Sequence, residues 1–155
     1  MISARLVRMI EDHAEQLTRG VIEDLQRNPR VPAYHELSRE ELHLRAHKVY
    51  RNLGQFLSRK ADESVESDYY DLARRRYAEG VALSEVVYAL ILEKGHLEEY
   101  IRTAGLVDSA VELYQEKELY HLVNQFFEKA IYFTIKGYES EATTHQQRLA
   151  AASSR

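Results

Sequence analysis

A chain of 155 residues with 45% apolar and 30% charged side chains and a formal charge of −4 suits one folded domain, not a disordered or membrane-spanning chain. The slight acidic excess argues against a protein whose main task is to neutralise nucleic-acid phosphates. The lack of cysteine excludes disulfides, thiolate metal centres and cysteine nucleophiles, and six glycines with two prolines are too few for a turn-rich β architecture.

The opening segment repeats Ile2, Leu6, Met9, Ile10, His13, Leu17, Val21 and Leu25 at helical spacing, which predicts a first helix over 2–27. It carries no apolar leader core, and no later run is long enough to cross a bilayer, so the expected setting is cytoplasmic with no membrane partner. The run Asn28 to Pro32 should stop this helix, because proline disfavours the helical well in the residue before it and lacks the amide donor. Ser38 with Glu41 three residues later reads as a capping box for a second helix, whose stripe is Leu42, Ala46, Val49, Tyr50, Leu53 and Leu57.

A third helix, Val65 to Glu79, shows Tyr69, Tyr70, Ala73 and Tyr77 and should stop at Gly80. Its Arg74–Arg75–Arg76 run suits the negative end of a helix dipole, with an anion site as the lesser reading. Ser84 is expected to cap the fourth helix, with Leu83 and Tyr88 as a hydrophobic staple. That helix is the most apolar stretch of the chain, so it should lie centrally; Gly105 should end it and Asp108 should cap the next. The fifth helix meets no breaker from Ser109 until Gly137, and residues 140–155 read as a helix extension or linker tail. The expected fold is all-α: a compact bundle of about five helices over 1–139, with a long C-terminal helix.

No GxSxG, P-loop, GxGxxG or HExxH motif is present. The candidates are therefore ionisable groups on apolar faces: Glu93 and His96 on the fourth helix, Glu116 on the fifth and His13 on the first. They make either a ligand pocket or a set of satisfied interior hydrogen bonds. Glu-x-x-His occurs at Glu40/His43, Glu93/His96 and Glu118/His121, the spacing of di-iron bundles. Glu40 and His121 fall on polar faces, however, and Glu11 and Glu15 on the first helix point outward. Haem on His13 or His96 has no further support. No cofactor or metal is expected.

The fifth helix is apolar over more than half its circumference, so its Leu122, Phe126 and Phe133 side needs a second cover. A homodimer supplies one, and the first or third helix of the same chain is the alternative. Tyr88, Tyr114 and Tyr132, off the main stripes, suit a half-buried interface or snorkel over their own helices.

The stretch RRRYAEGVALSEVVYALILEKGHLEEYI, from Arg74 to Ile101, resembles the N-terminal domain of the RsbR/RsbRD type, known from co-antagonists of the bacterial stressosome. Glu79, Gly80, Val81, Leu83, Ser84, Glu85 and Val86 carry the turn, and the segments Val49 to Leu57 and Phe126 to Glu139 look like the second and last helices of that family. The resemblance implies a globin-like domain without haem that dimerises, acts in signal transduction and is usually followed by an output module. It offers no catalytic residue. The expectation is a non-enzymatic sensory domain that binds a signal or partner and relays through its last helix; the alternative is a ligand-, haem- or metal-binding protein using a Glu93/His96/Glu116 pocket.

Overall fold

The computed structural model describes residues 4–58, 62–104 and 109–154, and Ile2, Gly105 and Asp108 lie outside them. In chain order the elements are α1 (Ala4–Asp12), α2 (Ala14–Arg27), a 3-10 turn (Pro32–His35), α3 (Arg39–Arg51), α4 (Leu53–Phe56), α5 (Asp62–Ala78), α6 (Leu83–Ala104) and α7 (Ala110–Ser153). The fold is all-helical, and none of the described helices is long and apolar enough to cross a membrane.

The first two expected helices are each broken in two, by the same device. At His13 the backbone leaves the helical well (φ −103, ψ 16), and the ring Nδ1 lies 2.8 Å from the Met9 carbonyl oxygen four residues back. At Asn52 (φ −116, ψ 29) the side-chain amide donates to the Lys48 carbonyl at 2.9 Å. At both breaks the side chain shares that i−4 carbonyl with the residue's own backbone N–H. Apolar periodicity continues through both breaks and does not register them.

Other helix ends follow their local chemistry. The Ser38 side chain accepts the Glu41 amide at 3.3 Å, but the Glu41 carboxylate does not complete a capping box, because it is drawn to Arg45 and Arg76. After α5, Gly80 adopts φ +75, Val81 N–H donates to Arg76 O and Gly80 N–H to Tyr77 O, both at 3.0 Å. This is a Schellman end, and its left-handed residue favours glycine. Ser84 does not cap α6: the first turn closes on the Ala82 carbonyl, and Ser84 sits inside the helix. Ser109 caps α7 by accepting the Glu112 amide at 3.2 Å.

The fifth helix does not stop at Gly137. It runs 44 residues to Ser153 without a break. A helical glycine costs roughly 1 kcal/mol against alanine, but Gly137 is buried where α7 presses on α5, and a Cβ there would lie 2.6 Å from the Ala73 Cβ. Close packing of the two helices offsets the propensity cost. Beyond Glu139 the sequence is Ala/Ser/Gln-rich, and its alanines and glutamines, good helix formers, continue the rod largely exposed.

α6 packs on α2 to one side and α7 to the other, while α5 packs along α7 and α3 along α2. Val86, Ala89, Leu90, Leu97 and Ile101 of α6 are buried, yet Ile91 is 46% exposed, so α6 is central without being covered all round. The Phe126 side of α7 is covered from within the chain. Phe126 is 4% exposed and packs on Phe56 and Tyr69, with ring centroids 5.6 and 6.1 Å away, and Phe133 meets Tyr70 at 6.3 Å. The cover comes from α4 and α5, and Leu122 is half-buried beside it.

Candidate functional site

Glu93 lies on the inner side of α6 and faces the seam between α3 and α5. It lines a cleft of about 180 Å³, to which α3 contributes Arg45, Lys48 and Val49. The other walls are Phe56 of α4, Tyr69 and Leu72 of α5 and Leu90 of α6, with Asp68 and Asp71 of α5 on the lining as well. α6 is held at this height by the Tyr50 hydroxyl, which donates to the Glu93 backbone carbonyl at 2.8 Å. The Tyr50 and Tyr69 hydroxyls are both pushed well up in pKa, first by burial and then by the Glu93 charge.

The Glu93 carboxyl has no hydrogen bond and no ion pair among the described residues. Burial pushes its pKa up to about 7, and the nearby positive charges of Arg45 and Arg76 offset only part of that. The cations near it are committed elsewhere. Lys48 Nζ lies 3.1 Å from Asp68 Oδ2, and Arg45 is paired with Glu41.

The same seam holds a second ionic group. Arg76 has a side chain only 1% exposed; Nη2 donates to Glu41 Oε2 at 2.7 Å, Nη1 to Glu79 Oε1 at 2.9 Å and Nε to the Tyr34 hydroxyl at 3.4 Å. Its guanidinium also lies over the Tyr34 ring, 5.3 Å from the centroid. Burial pushes the Glu41 carboxyl up, but hydrogen bonds and charge from Arg76 and Arg45 outweigh it and hold the group below the ordinary carboxylate range.

The four residues expected to form one pocket go to four places. His96 turns to α2, where Nε2 sits 2.8 Å from Asp24 Oδ2, and both side chains are about a third exposed. His13 is exposed at the α1–α2 break, with its ring 5.8 Å from that of Tyr100. Glu116 lies half-buried next to Tyr120, whose hydroxyl donates to the Glu98 carbonyl at 3.3 Å. Only Glu93 reaches the cleft.

The Glu-x-x-His pairs are likewise dispersed. His43 Nε2 lies 2.8 Å from Glu15 Oε2 and stacks on His47 at 5.2 Å, while His121 is exposed. Among the described residues no group of three or more His, Asp or Glu side chains is arranged to hold a metal ion. Tyr114 and Tyr132 are exposed at 65% and 57%, whereas Tyr88 is half-buried under Arg30, whose guanidinium is 5.3 Å from its ring.

Two features escaped the sequence reading. Arg76 was assigned to the helix dipole, although it continues the stripe of Val65, Tyr69 and Leu72 at helical spacing and so belongs on the buried face. Arg45 and Lys48 gave no signal of their own, since which helix faces Glu93 depends on tertiary packing. No family model, curated protein or solved structure matches the chain.

Proposed function

We propose that this chain is a non-enzymatic regulatory domain that takes a signal at the Glu93 cleft and relays it along α7. One observation carries the reading: α7 is a single 44-residue helix that is locked against α5 past its midpoint, at Gly137 and Ala73, and whose outer end leaves the bundle. The adjoining face of α5 supplies Tyr69 and Leu72 to the cleft, and Tyr69 also touches Phe126 of α7. A change in the cleft that moves α5 therefore moves the contact on which α7 pivots, the helix-shift class of switching. The non-enzymatic part rests on how the other inward-facing ionic groups are used: Arg76 is held by Glu41 and Glu79, and His96 by Asp24.

This is the role that the RsbR/RsbRD-type resemblance of Arg74 to Ile101 implies, and a cytoplasmic stress-response setting, a homodimer and an output module or partner belong to the same proposal. With Phe126 covered inside the chain, the dimer contact is proposed along the exposed edge of α7 that carries Tyr114 and Tyr132, 65% and 57% exposed. The alternative of a joint Glu93/His96/Glu116 pocket has less in its favour, because the three side chains face different elements.

The chain has no cysteine, so Glu63→Cys on α5 and Gln146→Cys on α7 give two clean positions for nitroxide labels. Val49→Phe, which fills the cleft, is expected to shift the distance distribution between them. An unchanged distribution in a folded Val49→Phe protein refutes the relay.

A further inference from the structure

The geometry points to a small protonated amine with a short apolar chain as the ligand of the α3–α5–α6 cleft, its ammonium on the Glu93 carboxylate and its chain against Phe56, Leu72 and Leu90. This rests on the cleft being the site of signal entry. A liquid water occupies roughly 30 Å³, so a cleft of about 180 Å³ has room for a handful of heavy atoms. The size suits an alkylamine of about five carbons and excludes nucleotides and haem.

The sign of the ligand follows from which lining groups are already paired. Lys48 is held by Asp68 and Arg45 by Glu41, so an anionic ligand would have to displace a carboxylate from its cation. Glu93 alone has no partner among the described residues, and with it ionised the lining carries three carboxylates against two cations. A carboxylate walled by Val49, Leu72 and Leu90 is costly to leave bare. An ammonium supplies both the missing charge and the missing donors, while the apolar walls take the chain. A neutral alcohol of the same length would satisfy the walls but not the charge.

The test uses the full chain at pH 8, titrated with n-pentylamine, pentanol and pentanoate and followed by amide chemical shifts. Pentylamine is expected to bind saturably, with shifts centred on Leu72, Leu90 and Glu93, at least tenfold tighter than pentanol, and pentanoate is expected not to bind. Glu93→Gln, nearly isosteric, should weaken the amine at least tenfold and leave pentanol unchanged. Lowering the pH to 5 should weaken the amine in the parent chain but not in Glu93→Gln. The charged groups facing Glu93 are Arg45, Lys48 and Glu41 from α3 and Asp68, Asp71 and Arg76 from α5, and the variant keeps all of them. Pentanoate binding as tight as the amine, amine binding indifferent to Glu93→Gln, or no saturable amine binding would each overturn the assignment. None of these results bears on the nitroxide distances, so the relay stands or falls separately.

Discussion

Arg76 is 1% exposed and directs its guanidinium to Glu41, Glu79 and Tyr34, whereas the Glu93 carboxyl, across the same seam, has no hydrogen-bonding partner among the described residues. Arg76 is taken fully from water and Glu93 in part, and only Arg76 is compensated. Compensation shows in the carboxylates: Glu41, gripped by Arg76 and Arg45, is held low, while Glu93, held mainly by apolar walls, is pushed up to about 7. The first region fixes how α3 and α5 meet. The second leaves a chemical need that something outside the chain can meet. A buried ion with a full set of partners is thus evidence of structure, and a buried ion without them is a better place to look for a site.

The comparison breaks most directly at Arg76. Arg76→Met leaves the Glu41 carboxylate, only 11% exposed, without its one fully buried partner, with Arg45 still beside it. Removing one member of a buried pair costs about 3–5 kcal/mol, and urea denaturation should register a loss of that size. A loss under about 1 kcal/mol, the range of exposed pairs, would mean that water already screens the cluster and that the two regions do not differ.

Leu90→Ala probes the other region. Leu90 is 3% exposed and forms part of the cleft wall. The substitution should cost about 2–4 kcal/mol in the same assay, the usual range for leucine truncation in a core. It should do so without changing the acid limb of the stability curve, because Glu41 and Arg76 are untouched.

The pH dependence separates the two carboxylates by sign. Glu93 titrates near 4.5 when unfolded and about 7 when folded. Below the lower value it is protonated in both states and costs nothing. As pH rises between the two values the native state keeps a proton that the unfolded chain has released, so stability falls, and above 7 the cost is constant. Relative to Glu93→Gln, the parent chain should lose about 2–3 kcal/mol between pH 4.5 and 8, after allowance for residual solvent at the cleft. Glu41 acts in the opposite sense: its contribution is present above the ordinary carboxylate range and is lost as pH falls through its lowered folded value. Parallel curves for the parent and Glu93→Gln would mean that the Glu93 carboxyl is fully solvated.

Much of this fold was legible in the sequence because apolar periodicity, proline and the Gly80 stop are local signals. The Asn28 to Pro32 stop and the Schellman end at Gly80 lie where the sequence places them. The breaks at His13 and Asn52 were not legible, since each is a local change of backbone angle at one polar residue that leaves the apolar stripe intact. The site was legible only as a list of suspects. Periodicity put Glu93 on an inner face, but every inner face of α6 looks alike from the sequence, and only packing shows that Glu93 meets α3 and α5 while His96, three residues on, meets α2. Phe126 taught the converse. A helix apolar over half its surface needs two covers, and the sequence does not say whether the second is another chain or, as here, α5.

The smallest expected effect sharpens the comparison most, because it acts on α5 without touching a residue of either region. At Gly137 a Cβ would stand 2.6 Å from the Ala73 Cβ and 3.4 Å from the Tyr70 Cα, so Gly137→Ala must push α5 and α7 apart. Overpacking of this kind costs about 1–3 kcal/mol, and the gain in helix propensity returns roughly 1 kcal/mol. The net loss should be about 1 kcal/mol, and Ala73→Gly in the same chain should recover part of it, since the two positions touch and their effects are not additive. The displacement of α5 bears on two stretches of the helix beside the α7 contact. At Arg76 it meets hydrogen bonds to three residues, and at Tyr69 and Leu72 it meets an open cleft. Native-state hydrogen exchange should therefore show faster opening around Tyr69 and Leu72 than in the parent chain, with little change around Arg76. Equal acceleration along the whole of α5 would mean that the helix moves as one rigid body, and that the contrast between its two ends is one of charge alone.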